Sequence, residues 1–259
     1  MVDFIRKSCY TFEDFVNLIH LLRSPGGCTW DQAQDHLSIR RNFIEEVYEC
    51  CEALDTDDEG LMCEELGDVM MQVIFHADIE KERGRFTLDD VCDEACKKLI
   101  FRHPHLFGEG DAKSWDEIKA LEKGQKTCAQ TMDSVARSLP ALWRAEKLVK
   151  KAEKVGFAWP DPEAALSKLE EEIGQLREAV KTGKGVQEEL GDVLFAAVCS
   201  AYKMQYDPEE TLHKTCEKFI KRFAAMEQSA EAQGRSLEAY TPVEQLSLWE
   251  EAKAVTVWE

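Results

Sequence analysis

The stretch Asn42–Ile74 reads NFIEEVYECCEALDTDDEGLMCEELGDVMMQVI. Apolar residues recur in it every three or four positions on both sides of the polar segment Asp55–Gly60, the spacing of two amphipathic helices joined by a turn. Each predicted helix carries one acidic pair, Glu46/Glu49 on the first and Glu65/Asp68 on the second. Residues three apart share a helix face, so each pair is two-pronged. Counted outward from the middle of the turn, Glu46 lies level with Asp68 and Glu49 with Glu65. An antiparallel hairpin therefore brings both pairs to one height.

The same period runs through most of the 259 residues. It predicts helices over 12–22, 39–54, 61–79, 88–101, 135–155, 164–180, 186–204 and 212–226, and no stretch alternates as a strand would. Thr11-Phe-Glu-Asp14, Thr87-Leu-Asp-Asp90 and Ser114-Trp-Asp-Glu117 each place an acid three residues after a hydroxyl, the signature of a capped helix start. The fold class is all-α. Periodicity is weakest near 124–134, which sets the expected layout: one domain over 1–123, a linker over 124–140 and a second domain over 141–259.

Composition narrows the function. With 51 acidic against 32 basic residues, the formal charge is −19. A field of that sign repels nucleic acid and anionic membranes, so no stable nucleic-acid binding is expected. No apolar run is long enough to span a bilayer, and MVDFIRKSCY lacks the apolar core of a signal peptide. The ten cysteines form no CxxC pair and no Cys/His zinc spacing. Cys50, Cys63 and Cys199 sit at helix-like apolar positions and read as reduced core thiols of a cytoplasmic protein.

An internal repeat then emerges. Glu45-Glu46 followed by Glu65-Leu-Gly-Asp68 recurs as Glu171-Glu172 followed by Glu189-Leu-Gly-Asp192. Lys98-xxx-Arg102 recurs as Lys218-xxx-Arg222, and Trp115-xxx-Lys119 as Trp249-xxx-Lys253. The order is preserved, so the chain reads as a tandem duplication of a small helical bundle.

The carboxylates read either as a solvated acidic face or as a metal site. Glu65, Asp68, Gln72 and His76 share a narrow stripe, while Leu66, Val69, Met70, Val73, Ile74 and Phe75 fill most of the remaining circumference. A helix so apolar is expected to be largely buried, and its carboxylates with it. Four carboxylates held together stay ionised only beside a cation. All-oxygen ligation suits Mg2+, or Mn2+, whereas a di-iron bundle needs Glu-xx-His on two helices, and neither pair has it. Lys98 and Arg102, four apart on one face, suit the phosphate oxygens that Mg2+ commonly binds. His103-Pro104-His105 reads as a helix-ending turn. Trp30 and Trp115 are suited to stacking on a base, but core packing is the expectation for each.

GGCTWDxxQ (Gly26–Gln34), EEVYE (Glu45–Glu49), EELGD (Glu64–Asp68), GRF (Gly84–Phe86), RHPHLFG (Arg102–Gly108) and the run Arg137–Asp161 together resemble the MazG family, over nearly the whole chain. The resemblance implies two all-α domains of the MazG type and a homodimer. It implies hydrolysis of nucleoside triphosphates, NTPs and dNTPs, to monophosphate and pyrophosphate, in the sense of nucleotide-pool housecleaning. It makes Glu46, Glu49, Glu65 and Asp68 the metal ligands, with Glu45 and Glu64 as neighbouring acids, either of them placed to serve as general base. Lys98 and Arg102 match its basic positions. The second copy retains Glu171, Glu172, Glu189, Asp192, Lys218 and Arg222 but has Gln175 where the first has Glu49, so the first site is expected to be the stronger. The rival reading is a non-catalytic nucleotide sensor or dimeric interaction scaffold.

Overall fold

The computed structural model describes residues 4–108, 118, 124 and 127–255, and among them the regular structure is helical throughout. The chain divides into two compact units, Met1–Ile118 and Lys119–Glu259.

The first unit contains α1 (Phe12–Arg23), a short α2 (Thr29–Ala33), α3 (Arg40–Thr56), α4 (Glu59–Glu82), α5 (Leu88–Arg102) and the single turn α6 (Pro104–Phe107). Capping boxes at Thr11/Asp14 and Thr87/Asp90 start α1 and α5. The Ser114–Glu117 cap, Trp115 and Lys119 lie outside the described residues. Two residues join α3 to α4. Asp57 turns the chain in the left-handed region at φ 54°, and the Asp58 carboxylate accepts hydrogen bonds from the Gly60 and Leu61 amides at 3.0 Å each. So short a connection forces the antiparallel hairpin. α1 packs on the outer part of α4, where Ile19, Ile39, Ile74, Phe75 and Ile79 form the core with Phe15, Val16, Leu22, Met71 and Leu88 around them. Each fully buried isoleucine contributes about 1.5–3 kcal/mol.

The turn after α1 is tightly braced. Arg23, 5% exposed, donates to the Asp31 carbonyl at 2.6 Å and to Glu82 at 2.8 Å, with its guanidinium 4.6 Å above the Phe75 ring. Gly27 closes the same turn, and a Cβ there would stand 2.3 Å from the Leu22 carbonyl oxygen.

The second unit contains α7 (Cys128–Asp133), α8 (Ala141–Glu153), α9 (Pro162–Thr182), α10 (Val186–Lys203), α11 (Pro208–Ala232), a 3-10 turn (Leu237–Ala239) and α12 (Pro242–Val255). α9 and α10 form a hairpin through Gly183 and Gly185, both left-handed (φ 70° and 71°). A second core gathers Met226, Ala230, Tyr240, Leu248 and Ala252. Part of the expected linker is helical, since α7 packs on α8. The helix expected from 135 begins only at Ala141, because Pro140 lacks an amide hydrogen and its ring disfavours helical backbone at Leu139.

Three burial expectations are corrected. Trp30 is 60% exposed rather than packed in the core, and Cys63 is exposed, Cys50 half-buried and only Cys199 buried. All ten cysteines are free. The α4 helix is buried along one side only: Leu66, Met70 and Val73 are 50, 42 and 37% exposed. Hydrophobic period marks these positions as apolar but is silent on what covers them.

Asp58→Ala is expected to lower the stability of the first unit by ~1 kcal/mol through loss of the α4 cap. Urea denaturation of the full chain, followed by a probe in the first unit, measures it.

Candidate metal centre

The hairpin gathers three of the four expected carboxylates, and Asp68 is not among the converging oxygens. Glu46 and Glu49 project from one face of α3 toward α4, and one oxygen each of Glu46, Glu49 and Glu65 lies within 4.8 Å of the others. Glu49 stands close enough to Glu46 for its charge to act on it. Asp68 stands near enough for its charge to act on both Glu46 and Glu65. Gln72, one turn further along α4 and 6% exposed, points its amide at Glu46 Oε1 from 3.5 Å.

The electrostatics follow from crowding. Burial, then the charges of Asp68 and Glu49, push Glu46 above the usual carboxylate range. Burial, then Glu49, Asp68, Glu64 and Glu52, do the same to Glu65. Glu65 Oε2 is buried with no hydrogen-bond partner. An ionised oxygen taken out of water without a donor is costly unless a cation faces it. The donor set is all-oxygen and anionic, so the residues fit a hard divalent cation.

The remaining expected residues divide. Glu45 is exposed and accepts from Arg41 Nε at 2.7 Å. Glu64 is exposed, with its charge acting on Glu65. Lys98 and Arg102 lie one turn apart on α5, which packs on α4, Lys98 exposed and Arg102 half-buried at the helix end. Among the described residues no ion pair ties Lys98 to the cluster. His103 caps the end of α5 and opens α6, the turn its sequence predicts.

The second copy repeats the arrangement with one change of membership. Its converging oxygens come from Glu172, Glu189 and Asp192, and Glu189 Oε2 is buried without a partner, as its counterpart Glu65 Oε2 is. Gln175 is exposed and donates to Glu171 Oε1 at 3.2 Å. Lys168 pairs with both Glu171 and Glu172 at 2.8 Å, so a side-chain ammonium already stands beside a carboxylate of this group. Asn42 holds the matching place in the first copy, by the offset that pairs Glu46 with Glu172. The second group therefore carries one carboxylate fewer and one cation more. Lys218 and Arg222 are half-buried on α11, with the Arg222 guanidinium 5.8 Å over Trp249.

Two features escaped the sequence reading. Lys168 was legible in principle, since it stands four residues before Glu172 on one helix face. His36, which reaches His76 and Glu80 from an irregular segment, belongs to no period that would reveal it.

Comparison with known proteins agrees with the geometry. A family model described as the MazG nucleotide pyrophosphohydrolase domain matches twice, over residues 34–107 and 161–225, each match enclosing one carboxylate group. A Thermotoga maritima protein named nucleoside triphosphate pyrophosphohydrolase/pyrophosphatase MazG is 44% identical over 253 residues, covering 96% of this chain and 98% of the relative. An Escherichia coli nucleoside triphosphate pyrophosphohydrolase is 35% identical over 250 residues, covering 92 and 95%. A Bacillus subtilis protein, YabN, is 40% identical over 254 residues and extends to about twice this chain's length, 52% of it being matched.

Glu46 and Glu65 both titrate above their ordinary values in the metal-free fold. Their contribution to stability is thus full below the ordinary carboxylate range and lost as pH rises through the raised values. Glu65→Gln is accordingly expected to raise Tm in chelator-treated protein at neutral pH. The advantage should shrink toward about pH 4, where carboxyls protonate in folded and unfolded chains alike. Thermal melts across that range in the presence of chelator measure it.

Proposed function

Since the chain belongs to the MazG nucleotide pyrophosphohydrolase family, we propose that it hydrolyses nucleoside triphosphates to monophosphate and pyrophosphate with Mg2+ in its first copy. The observation that carries this reading is the buried, partnerless Glu65 Oε2 inside a cluster of converging carboxylates. Glu46, Glu49, Glu65 and Asp68 would hold the ion, with Mn2+ the other candidate of the same class. When bound, it neutralises the cluster and polarises the phosphoanhydride.

The protein's own groups supply the rest. Lys98 and Arg102 hold the phosphate oxygens and stabilise the charge that grows on the leaving pyrophosphate. Of the two neighbouring acids, Glu64 takes the proton from the attacking water, because Glu45 is engaged by Arg41. Exposed Trp30, on its braced turn, offers a face to a base, and stacking accepts any base. The second copy serves as the weaker site, with Gln175 and Lys168 both reducing its pull on a cation.

We place the chain in the cytoplasm, where the nucleotide pool it would clear resides; its ten free cysteines accord with a reducing compartment. The assembly we propose is a homodimer. Ile44, Val47 and Tyr48 on α3 and Leu66, Met70 and Val73 on α4 are each 37–50% exposed, an apolar surface of the kind a partner subunit covers. Sedimentation at micromolar concentration should report twice the chain mass; a monomer would overturn this part.

The enzymatic test is an Mg2+-dependent assay over a panel of canonical and damaged (d)NTPs, with products identified. Pyrophosphate and NMP are expected; NDP with phosphate would overturn the reading. Glu49→Gln and Glu65→Gln should each lower kcat by more than the ~100-fold typical of losing a group that merely supports a metal ligand. Glu189→Gln should leave most of the activity. Binding of a non-hydrolysable NTP without turnover in wild type would favour a nucleotide sensor instead.

A further inference from the structure

The polar stripe of α4 does not end at the carboxylates. It continues through Gln72, His76 and Glu80, each one turn beyond the last, with Glu80 only 4% exposed. His36, in the segment 34–39 that leads into α3, reaches across to two of them. Its Nε2 lies 2.6 Å from Glu80 Oε1, its Nδ1 lies 2.7 Å from His76 Nδ1, and the two imidazole planes are within 14° of parallel with centroids 5.0 Å apart. The segment is itself braced, because the Asp35 carboxylate accepts from the Leu37 and Ser38 amides at 2.9 and 2.8 Å and Ile39 is 3% exposed.

Charged and aromatic groups surround the histidine pair. Arg83 and Arg85 face Glu80 at 2.9 and 3.3 Å, and Asp35 feels the charge of Arg83. α3 contributes the uncharged Phe43 ring, 5.5 Å from His76. On the side toward α1, His20 is paired with Asp78 at 2.9 Å. The second copy has none of this. By the offset that pairs Glu65 with Glu189 and Asp68 with Asp192, the counterparts of Gln72, His76 and Glu80 are Ala196, Ser200 and Met204.

We propose that His36 and His76 are positioning residues that clamp the entry of α3 to α4 and so hold Glu46 and Glu49 level with Glu65 and Asp68. The turn at Asp57–Asp58 fixes one end of the hairpin, the histidine clamp fixes the other, and the carboxylates lie between. The consequence for metal binding rests on the reading of the cluster given above.

Proton counting makes the clamp pH-sensitive. Glu80 accepts from His36 Nε2–H, and the two Nδ1 atoms share a single hydrogen. The pair is therefore intact when neutral or singly protonated, but a second proton sets N–H against N–H. Burial, then the His36 charge, holds His76 below the usual histidine range. The stability it contributes is thus complete above the ordinary histidine value and is lost as pH falls through the lowered one.

The test uses the full chain without metal. Amide hydrogen exchange is compared in wild type, His76→Phe (which keeps a ring against Phe43) and His36→Gln. Exchange over residues 40–46 should rise about tenfold in both variants, the size of one buried hydrogen bond, while α9 and α10 remain unchanged. Taking wild type from about pH 7.5 to about pH 5.5 should produce the same local rise, after correction for intrinsic exchange, and His76→Phe should not respond. Mn2+ titrated alone should bind both variants about tenfold more weakly than wild type, as for groups that orient metal ligands. Unchanged exchange in both variants overturns the clamp, as does a rise spread equally over the second unit. If either variant fails to fold, the wild-type pH comparison decides, and no local rise there overturns it. Wild type that takes up no Mn2+ overturns the metal reading of the cluster, and exchange still decides the clamp.

Discussion

Like charges held at one height between two helices are the constraint on which the first unit is built. Left to themselves, Glu46, Glu49, Glu65 and Asp68 would repel one another into water. The hairpin prevents that because both of its ends are fixed while its middle carries the acids. Burial of Ile74, Phe75 and Ile79 against α1 supplies the stability that offsets this repulsion, at the part of α4 beyond the carboxylates. Core and site thus occupy successive lengths of one helix, so the site's cost is met by its own scaffold.

The duplication holds the same constraint in two forms. Both copies retain a carboxylate hairpin with a buried, partnerless oxygen at matching places, Glu65 and Glu189. Each converges three carboxylates, with Glu49 completing the first group and Asp192 the second, and the first continues into a buried polar stripe beyond. The second substitutes an amide at Gln175, sets Lys168 against Glu172, and fills the stripe with Ala196, Ser200 and Met204. Each substitution moves the second hairpin toward a self-neutralised helix pair, with glycines rather than aspartates making its turn.

Much of this was legible in the residues. Helix positions, the caps at Thr11 and Thr87, the hairpin and the approach of Glu46 and Glu49 to Glu65 all follow from period, spacing and turn chemistry, which are local. The features that were not legible depend on partners distant in the chain. Period marks Leu66, Met70 and Val73 as apolar, but coverage is a property of the assembly rather than of the helix. Trp30 was expected in the core because large aromatics usually lie there, whereas it stands 60% exposed on the short α2, which Arg23 ties down through the Asp31 carbonyl. His36 sits in an irregular segment whose side chain has no preferred direction until the fold supplies His76 and Glu80.

The turn after α1 has a genetic corollary. A Cβ at residue 27 would meet backbone oxygens at 2.3 and 2.4 Å, from Leu22 and Leu21, and backbone cannot swing aside as the tip of a side chain can. Every other amino acid carries that atom. Any missense change in the glycine codon therefore displaces the end of α1, whatever the chemistry of the new residue, and with it the turn that presents Trp30. Codon 27 is accordingly a place where mutation is filtered by shape alone, and where silent changes are the only ones that should accumulate freely.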